Sequence, residues 1–244
     1  MERGFDVLET LALSPLPLSL AEVARSLGRT SSELFRTLTV LEGRGYIQRE
    51  EVSGKYGLTL RLFALAHSHS PVEKFLRAAA LPMQRLTEQV RESCHLCILD
   101  HNRLIVLAQA ESPARYRFSV ELGSTFSPLH TTSGRLLLAN LSEEQFRNYC
   151  AVDGDYQALT AAQKKTLHTE LAEIRRKGYS TARDVSAIGM RDVSVLVGNP
   201  SVGLTAALAI AFLASRGKKD PTRQLLAAAR ESAAAITQNL GLTM

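Results

Sequence analysis

The chain of 244 residues contains no tryptophan, three cysteines and only 6% aromatic residues. A core poor in rings must be filled by Leu, Val and Ala. Three cysteines (Cys94, Cys97 and Cys150) cannot build a disulfide framework, and an uneven number fits a reducing compartment. No apolar run approaches the ~20 residues of a membrane helix; the longest is Leu204–Ala214. Met1 runs straight into charged helical sequence without a secretory signal. A soluble cytoplasmic protein with no membrane partner is therefore expected. Internal repeats, a Gly-rich phosphate loop and a paired-carboxylate motif are also missing. His130 lies near Ser133, but no nucleophile-elbow pattern surrounds that serine. Neither a catalytic arrangement nor a cofactor is expected.

Charge is no guide to a partner. The whole chain carries +5 with an isoelectric point near 9.3, which permits nucleic-acid binding. Residues 1–70, however, hold eight basic and eight acidic groups, and only from Arg25 to Arg61 do basic groups lead, seven to four. Any DNA contact must come from placement and not from bulk charge.

The most specific pattern is Ser19–Leu58. Ser19 is a good helix cap with Glu22 three residues on, and Leu20, Val23, Ala24 and Leu27 form a buried stripe before Gly28. Thr30 or Ser31 can cap a further helix with Leu34, Leu38 and Leu41 inward. Tyr46–Gln48 and Lys55–Leu58 should pair as short strands around the Ser53-Gly54 turn. A preceding helix is expected over Glu2–Leu13. The sum is a winged helix-turn-helix, whose second motif helix enters a DNA major groove. Its outward face would carry Ser31, Ser32, Glu33, Phe35, Arg36 and Thr39, with Thr30 at the cap and Arg49 and Lys55 on the wing. Hydroxyls near a helix start suit phosphates, an arginine suits guanine or phosphate, and a glutamate can accept from cytosine. A helical hairpin used for protein contact would share much of this spacing.

Helical sequence from Thr59 to Ala66 leads to His67–Pro71, the expected boundary. Periodicity resumes over Val72–Val90, with Pro82 expected to kink that helix or start a new one. Beyond Ser93 the chain reads as α+β. Strands are expected at Cys94–Leu99, Leu104–Gln109, Arg117–Val120, Tyr179–Arg183, Met190–Val197 and Gly203–Leu213. Helices are expected at Thr132–Ala139, Ser142–Cys150, Thr160–Lys177 and Pro221–Leu240.

Alternation in Gly203–Leu213 sets Leu204, Leu208, Ile210 and Phe212 on one face, with Thr205, Ala207, Ala209 and Ala211 on the other. In Met190–Val197, Asp192 and Ser194 oppose Val193, Val195 and Val197. If the small and polar faces coincide they line a pocket; a helix packed close on the alanines would produce the same pattern. Asp192 is expected to accept a hydrogen bond from a ligand hydroxyl. Cys94 and Cys97, three apart in a strand, point to opposite faces and cannot share one metal ion.

Several segments together resemble the IclR family of bacterial transcriptional regulators, over nearly the whole chain. They are Leu41-Glu-Gly-Arg-Gly-Tyr46, Gly57-Leu-Thr-Leu-Arg-Leu-Phe-Ala64, Leu81-Pro82, Pro128-Leu-His-Thr-Thr-Ser-Gly-Arg-Leu-Leu-Leu-Ala139, and Arg176-Lys-Gly-Tyr179 leading to Gly189. The resemblance implies a winged helix (residues 1–68), a linker helix used in dimerisation (69–92) and a GAF-like effector-binding domain (93–244). It implies homodimers or homotetramers on palindromic double-stranded operator DNA. It also implies a small carboxylate effector, held by backbone amides at Thr132, Ser133 and Gly134; the alanine-lined face admits an aromatic one. Departures from the family pattern are Glu33 for a small hydroxyl residue, a Pro128 one position displaced, Arg135 for lysine, Asp184-Val-Ser186 for an acidic pair, and Ala209 and Ala211 for hydroxyls. The expected function is a ligand-responsive transcriptional regulator. The alternatives are an enzyme or an interaction module with a fused winged helix, and a thiol-sensing regulator.

Overall fold

The computed structural model describes residues 2–68, 71–183, 189–213 and 220–242. The chain folds as two compact units, Met1–Ser70 and Pro71–Met244.

In the first unit, α1 (Glu2–Leu13), α2 (Leu20–Ser26) and α3 (Ser31–Gly43) precede the antiparallel pair β1 (Ile47–Arg49) and β2 (Tyr56–Leu58), then α4 (Arg61–Ser68). The turn between α2 and α3 is set by Gly28 at φ +61°. Both motif helices begin with reciprocal caps. The Ser19 hydroxyl accepts from the Glu22 amide while the Glu22 carboxylate accepts from the Ser19 amide at 2.7 Å. Thr30 and Glu33 repeat the arrangement on α3. Such boxes satisfy orphan donors of a first helical turn. Val7, Leu11, Val23, Ala24, Leu34, Leu38, Ile47 and Tyr56 form the unit's core. The backbone of Tyr56 also bonds that of Leu18, pinning the wing to the entry of α2.

The second unit comprises α5 (Pro71–Val90), β3 (Cys94–Asp100), β4 (Arg103–Ala110), β5 (Thr125–Phe126), α6 (Thr132–Ala139), α7 (Glu143–Val152), α8 (Gly154–Gln157), α9 (Ala161–Lys177), β6 (Tyr179–Arg183), β7 (Met190–Asn199), β8 (Leu204–Leu213) and α10 (Thr222–Asn239). Its antiparallel sheet runs β5-β4-β3-β8-β7-β6. One face packs on α5 and α10, burying Phe75, Met83, Leu96, Val195, Leu208, Phe212 and Ile236. The other meets α6, through Cys97, Leu104, Val106, Leu136, Leu137 and Ala207, and α6 packs in turn on α7 and α9. The helix expected as a separate linker over residues 69–92 is thus α5, a component of this unit's own core.

Two expectations change. Pro82 does not start a new helix, because α5 runs through it. Proline strips the amide that would bond the carbonyl four residues earlier, at Ala78; the Asn239 side chain donates to that carbonyl instead, at 3.0 Å. The Ser232 hydroxyl bonds the Pro82 carbonyl as well, at 3.2 Å. Helix α10 therefore repairs α5 from outside. Residues Arg117–Val120 form no strand. They run as an irregular segment whose Val120 amide is taken by the Gln109 side-chain carbonyl, while the Gln109 amide donates to Ser119 at 2.7 Å. A side chain has taken the place of a backbone ladder. Asp184-Val-Ser186 lies outside the described residues.

Candidate functional site: a recognition helix and a sheet-lined cavity

On α3, Leu34 and Leu38 are fully buried, whereas Ser31, Ser32, Glu33, Phe35, Arg36 and Thr39 are exposed. At roughly 100° per residue these split between two flanks of the helix. Glu33, Arg36, Thr37 and Val40 line a groove with Phe5 and Leu8 of α1 and Leu62 and Leu65 of α4. Ser32, Phe35 and Thr39 fall on the opposite flank. The Glu33 carboxylate is engaged locally: it accepts from the Thr30 amide and hydroxyl, both at 2.8 Å. Those bonds hold its carboxyl below the usual range. Thr30 and Glu33 thus fix where α3 begins. On the wing, Arg49 folds back, donating to the Gly54 carbonyl at 3.1 Å with its guanidinium over the Tyr56 ring. Lys55 lies 3.8 Å from Glu22. Arg36 makes no ion pair among the described residues.

In the second unit, the side of β3, β8 and β7 that meets α6 borders a cavity of about 430 Å³, closed by the start of α6 and the segment before it. The register brings its walls together: Asp192 pairs with Ala211, Ser194 with Ala209, and His95 with Ala209. Asp192, Ala209, Ala211, Thr132 and Ser133 all line it. Ser194 does not. Its hydroxyl reaches that of Ser133 at 3.4 Å and ties the start of α6 to the sheet. Gly134 does not line it either. The Gly134 amide donates to the Thr131 hydroxyl at 3.0 Å, while the residues of the α6 start that border the cavity are Thr132 and Ser133. Gly134 is needed for space instead, because a Cβ there would fall within 3 Å of the Pro128 backbone. Arg135 braces the same turn, donating to the Leu129 carbonyl at 2.8 Å and pairing with Glu170 of α9 at 2.9 Å.

Sequence reasoning missed several wall residues. Phe118, Val120 and Phe126 supply an apolar side, and His95, Ser127 and His130 supply polar groups. The Ser127 hydroxyl is buried without a hydrogen-bond partner, an uncommon state for a buried polar atom and one that a ligand or water would relieve. Alternation in β3 places His95 with Cys97 on the cavity side, so the signal for His95 was available. Phe118 and Ser127 sit in irregular backbone, where no periodicity points.

Burial pushes the His95 pKa down to about 4, so its ring is neutral at physiological pH. The folded state then takes up fewer protons than the unfolded chain between about pH 4 and 6.5. Stability is complete above the unfolded value and falls as pH drops through that window, by up to roughly 3 kcal/mol. Urea titrations at pH 7 and pH 5 are expected to show this loss, and His95→Gln to flatten it. An unchanged pH slope in the variant would assign the loss to other groups.

Cys94 faces the α5–α10 core and Cys97 the opposite face of the sheet, and burial raises both thiols to about 12. Neither is a thiolate at neutral pH, which disfavours thiol sensing. Among the described residues no helix is long and apolar enough to cross a membrane, and no cluster of metal-ligating side chains occurs.

Comparison with known proteins agrees with this architecture. Residues 1–51 match the family model for the IclR helix-turn-helix domain, and residues 72–238 match that of the bacterial transcriptional regulator IclR C-terminal domain. The acetate operon repressor of Salmonella typhimurium is 27% identical over 100% of this chain and 90% of its own length. The HTH-type transcriptional regulator KdgR of Dickeya chrysanthemi is 25% identical over 98% of this chain and 79% of its own. An IclR homolog of Microbacterium hydrocarbonoxydans, solved in complex with 4-hydroxybenzoate, superposes with a TM-score of 0.79 at 22% identity, covering 98% of both chains. A winged helix with capped motif helices, joined to an α+β unit that encloses a sheet-lined cavity, is built here on a sequence matched by both models: the chain belongs to the IclR family of bacterial transcriptional regulators.

Proposed function

We propose that this chain is a cytoplasmic, ligand-responsive regulator that binds operator DNA as a homodimer or homotetramer, and that a small organic acid in the sheet-lined cavity sets its operator affinity. The observation that carries the reading is the make-up of that cavity. Helix-start amides at Thr132 and Ser133 suit a carboxylate. The alanine floor of Ala209 and Ala211 faces the phenylalanine wall and leaves room for a ring. Asp192 and His95 stand on the sheet side, where a hydroxyl could be read. The complex of the Microbacterium relative with 4-hydroxybenzoate makes a hydroxylated aromatic acid the first ligand to try.

On the DNA side, Ser31, Ser32, Phe35, Arg36 and Thr39 form the contact face of α3. Thr30 and Glu33 hold that helix in place, and Arg49 and Lys55 flank it on the wing. An effector can act only through unequal affinity for two arrangements of the protein. The cavity is thus a regulatory site, in which the ligand is bound and released unchanged and not turned over as in an enzyme.

Thermal-shift measurements on the full chain against a panel of small carboxylic acids test the reading. At a hundredfold excess over Kd a ligand adds about 2.7 kcal/mol of stability, a rise of several degrees. Ala209→Leu places three further carbons in the cavity. It is expected to keep the unliganded Tm and to abolish the shift. A panel without a responder, or equal shifts in wild type and variant, would remove the cavity from the account.

A further inference from the structure

We infer that α3 carries a thymine-methyl reader, built from the Phe35 ring and the methyl group of Thr39, so that the half-site contains at least one thymine recognised through its 5-methyl group. The inference rests on the DNA-binding reading above and adds to it a base and an atom.

Three observations carry it. Phe35 is 59% exposed near the middle of α3, on the flank away from the groove shared with α1 and α4. Thr39, one turn further along the same face, donates its hydroxyl proton to the Phe35 carbonyl at 2.9 Å. Its one donor is thereby spent on the helix backbone, and the methyl is the group left for a partner. Ser31 and Ser32, one turn before Phe35, are exposed as well, and Arg36 beside it has no ion-pair partner among the described residues. The face is therefore apolar at Phe35 and Thr39, with hydroxyls toward the helix start and a cation at one edge.

Major-groove edges differ in what they offer such a face. Guanine, adenine and cytosine present hydrogen-bonding atoms. Thymine adds the one apolar projection, its methyl group, and Phe and Thr side chains suit it. Serine hydroxyls at the helix start and the wing cations fit the phosphates that fix register. A protein partner for the Phe35 ring would need no cations or helix-start hydroxyls around it, and DNA uses both.

The test first defines the bound sequence, by selecting duplexes from a random library with the full-length protein. Each thymine in the half-site is then replaced singly by deoxyuridine, which removes the methyl and keeps base pairing. Affinities are measured for wild type, Phe35→Ala and Phe35→Leu. Burial of one methyl-sized group corresponds to about a fourfold change in affinity. One or two positions are expected to lose about fourfold in wild type. That loss should vanish in Phe35→Ala and persist in part in Phe35→Leu. Phe35 is exposed, so an unchanged Tm should accompany both substitutions. Deoxyuridine tolerated at every position would overturn the inference. So would losses that persist undiminished in Phe35→Ala, which would leave the ring to a protein partner. Selection that enriches no duplex at all is a different failure, because it defeats the DNA-binding reading itself.

Discussion

Gly134→Ala is expected to lower the stability of the second unit by about 3 kcal/mol or more and to abolish effector binding. Overpacking usually costs about 1–3 kcal/mol because side chains can turn aside. Here the added carbon would meet the Cα, carbonyl carbon and carbonyl oxygen of Pro128, all backbone atoms that cannot rotate away. The turn at Pro128–His130 must move, and with it the Thr131 cap and the start of α6 that borders the cavity. For a unit of this size the loss corresponds to a fall in Tm of roughly 6–12 °C. Gly154→Ala is the control, since an added Cβ there meets nothing within 4 Å. Calorimetry on both variants decides the matter; a Gly134→Ala protein as stable as wild type would show the turn to be pliable.

Arg36→Ala is expected to weaken operator binding by about ten- to a hundredfold per half-site, the range for losing a bidentate contact to guanine. Salt dependence separates the two partners open to this side chain. If Arg36 holds a phosphate, the slope of log K against log salt falls by about one unit. If it reads guanine, the slope stays and discrimination at one base pair collapses. Glu33→Gln should behave differently. The amide oxygen can still accept from the Thr30 amide, so the helix start survives and base preference should not change. An altered preference in Glu33→Gln would return that residue to direct readout. Anisotropy titrations at several salt concentrations give all of these results.

The recognisable parts of this molecule were those governed by short-range chemistry. Ser19 with Glu22, and Thr30 with Glu33, mark helix starts in sequence because a hydroxyl and a carboxylate three apart satisfy each other's backbone. The small face of β8 was visible because side chains in a strand alternate with a period of two. Long-range compensation was invisible. Nothing near Pro82 announces that Asn239, more than 150 residues away, donates to the carbonyl that proline leaves unpaired. Arg117–Val120 alternates as a strand would, yet Gln109 takes its backbone by side-chain bonds. The cavity was legible on its sheet side, through Asp192, Ala209 and Ala211. It was hidden on its loop side, where Phe118 and Ser127 follow no period. Ser194 and Gly134 carried the right signal for the right region, but they hold the start of α6 in place and do not line the cavity.

The central claim is that occupancy of the sheet-lined cavity changes how the winged helix binds DNA. Its most direct test is the operator affinity of the full chain with and without a saturating concentration of the acid that raises Tm most, in wild type and in Ala209→Leu. The account predicts a shift of at least fivefold in wild type, the lower end of typical coupling between sites, and none in the variant. An acid that stabilises the wild-type protein through this cavity yet leaves its operator affinity unchanged would contradict the account.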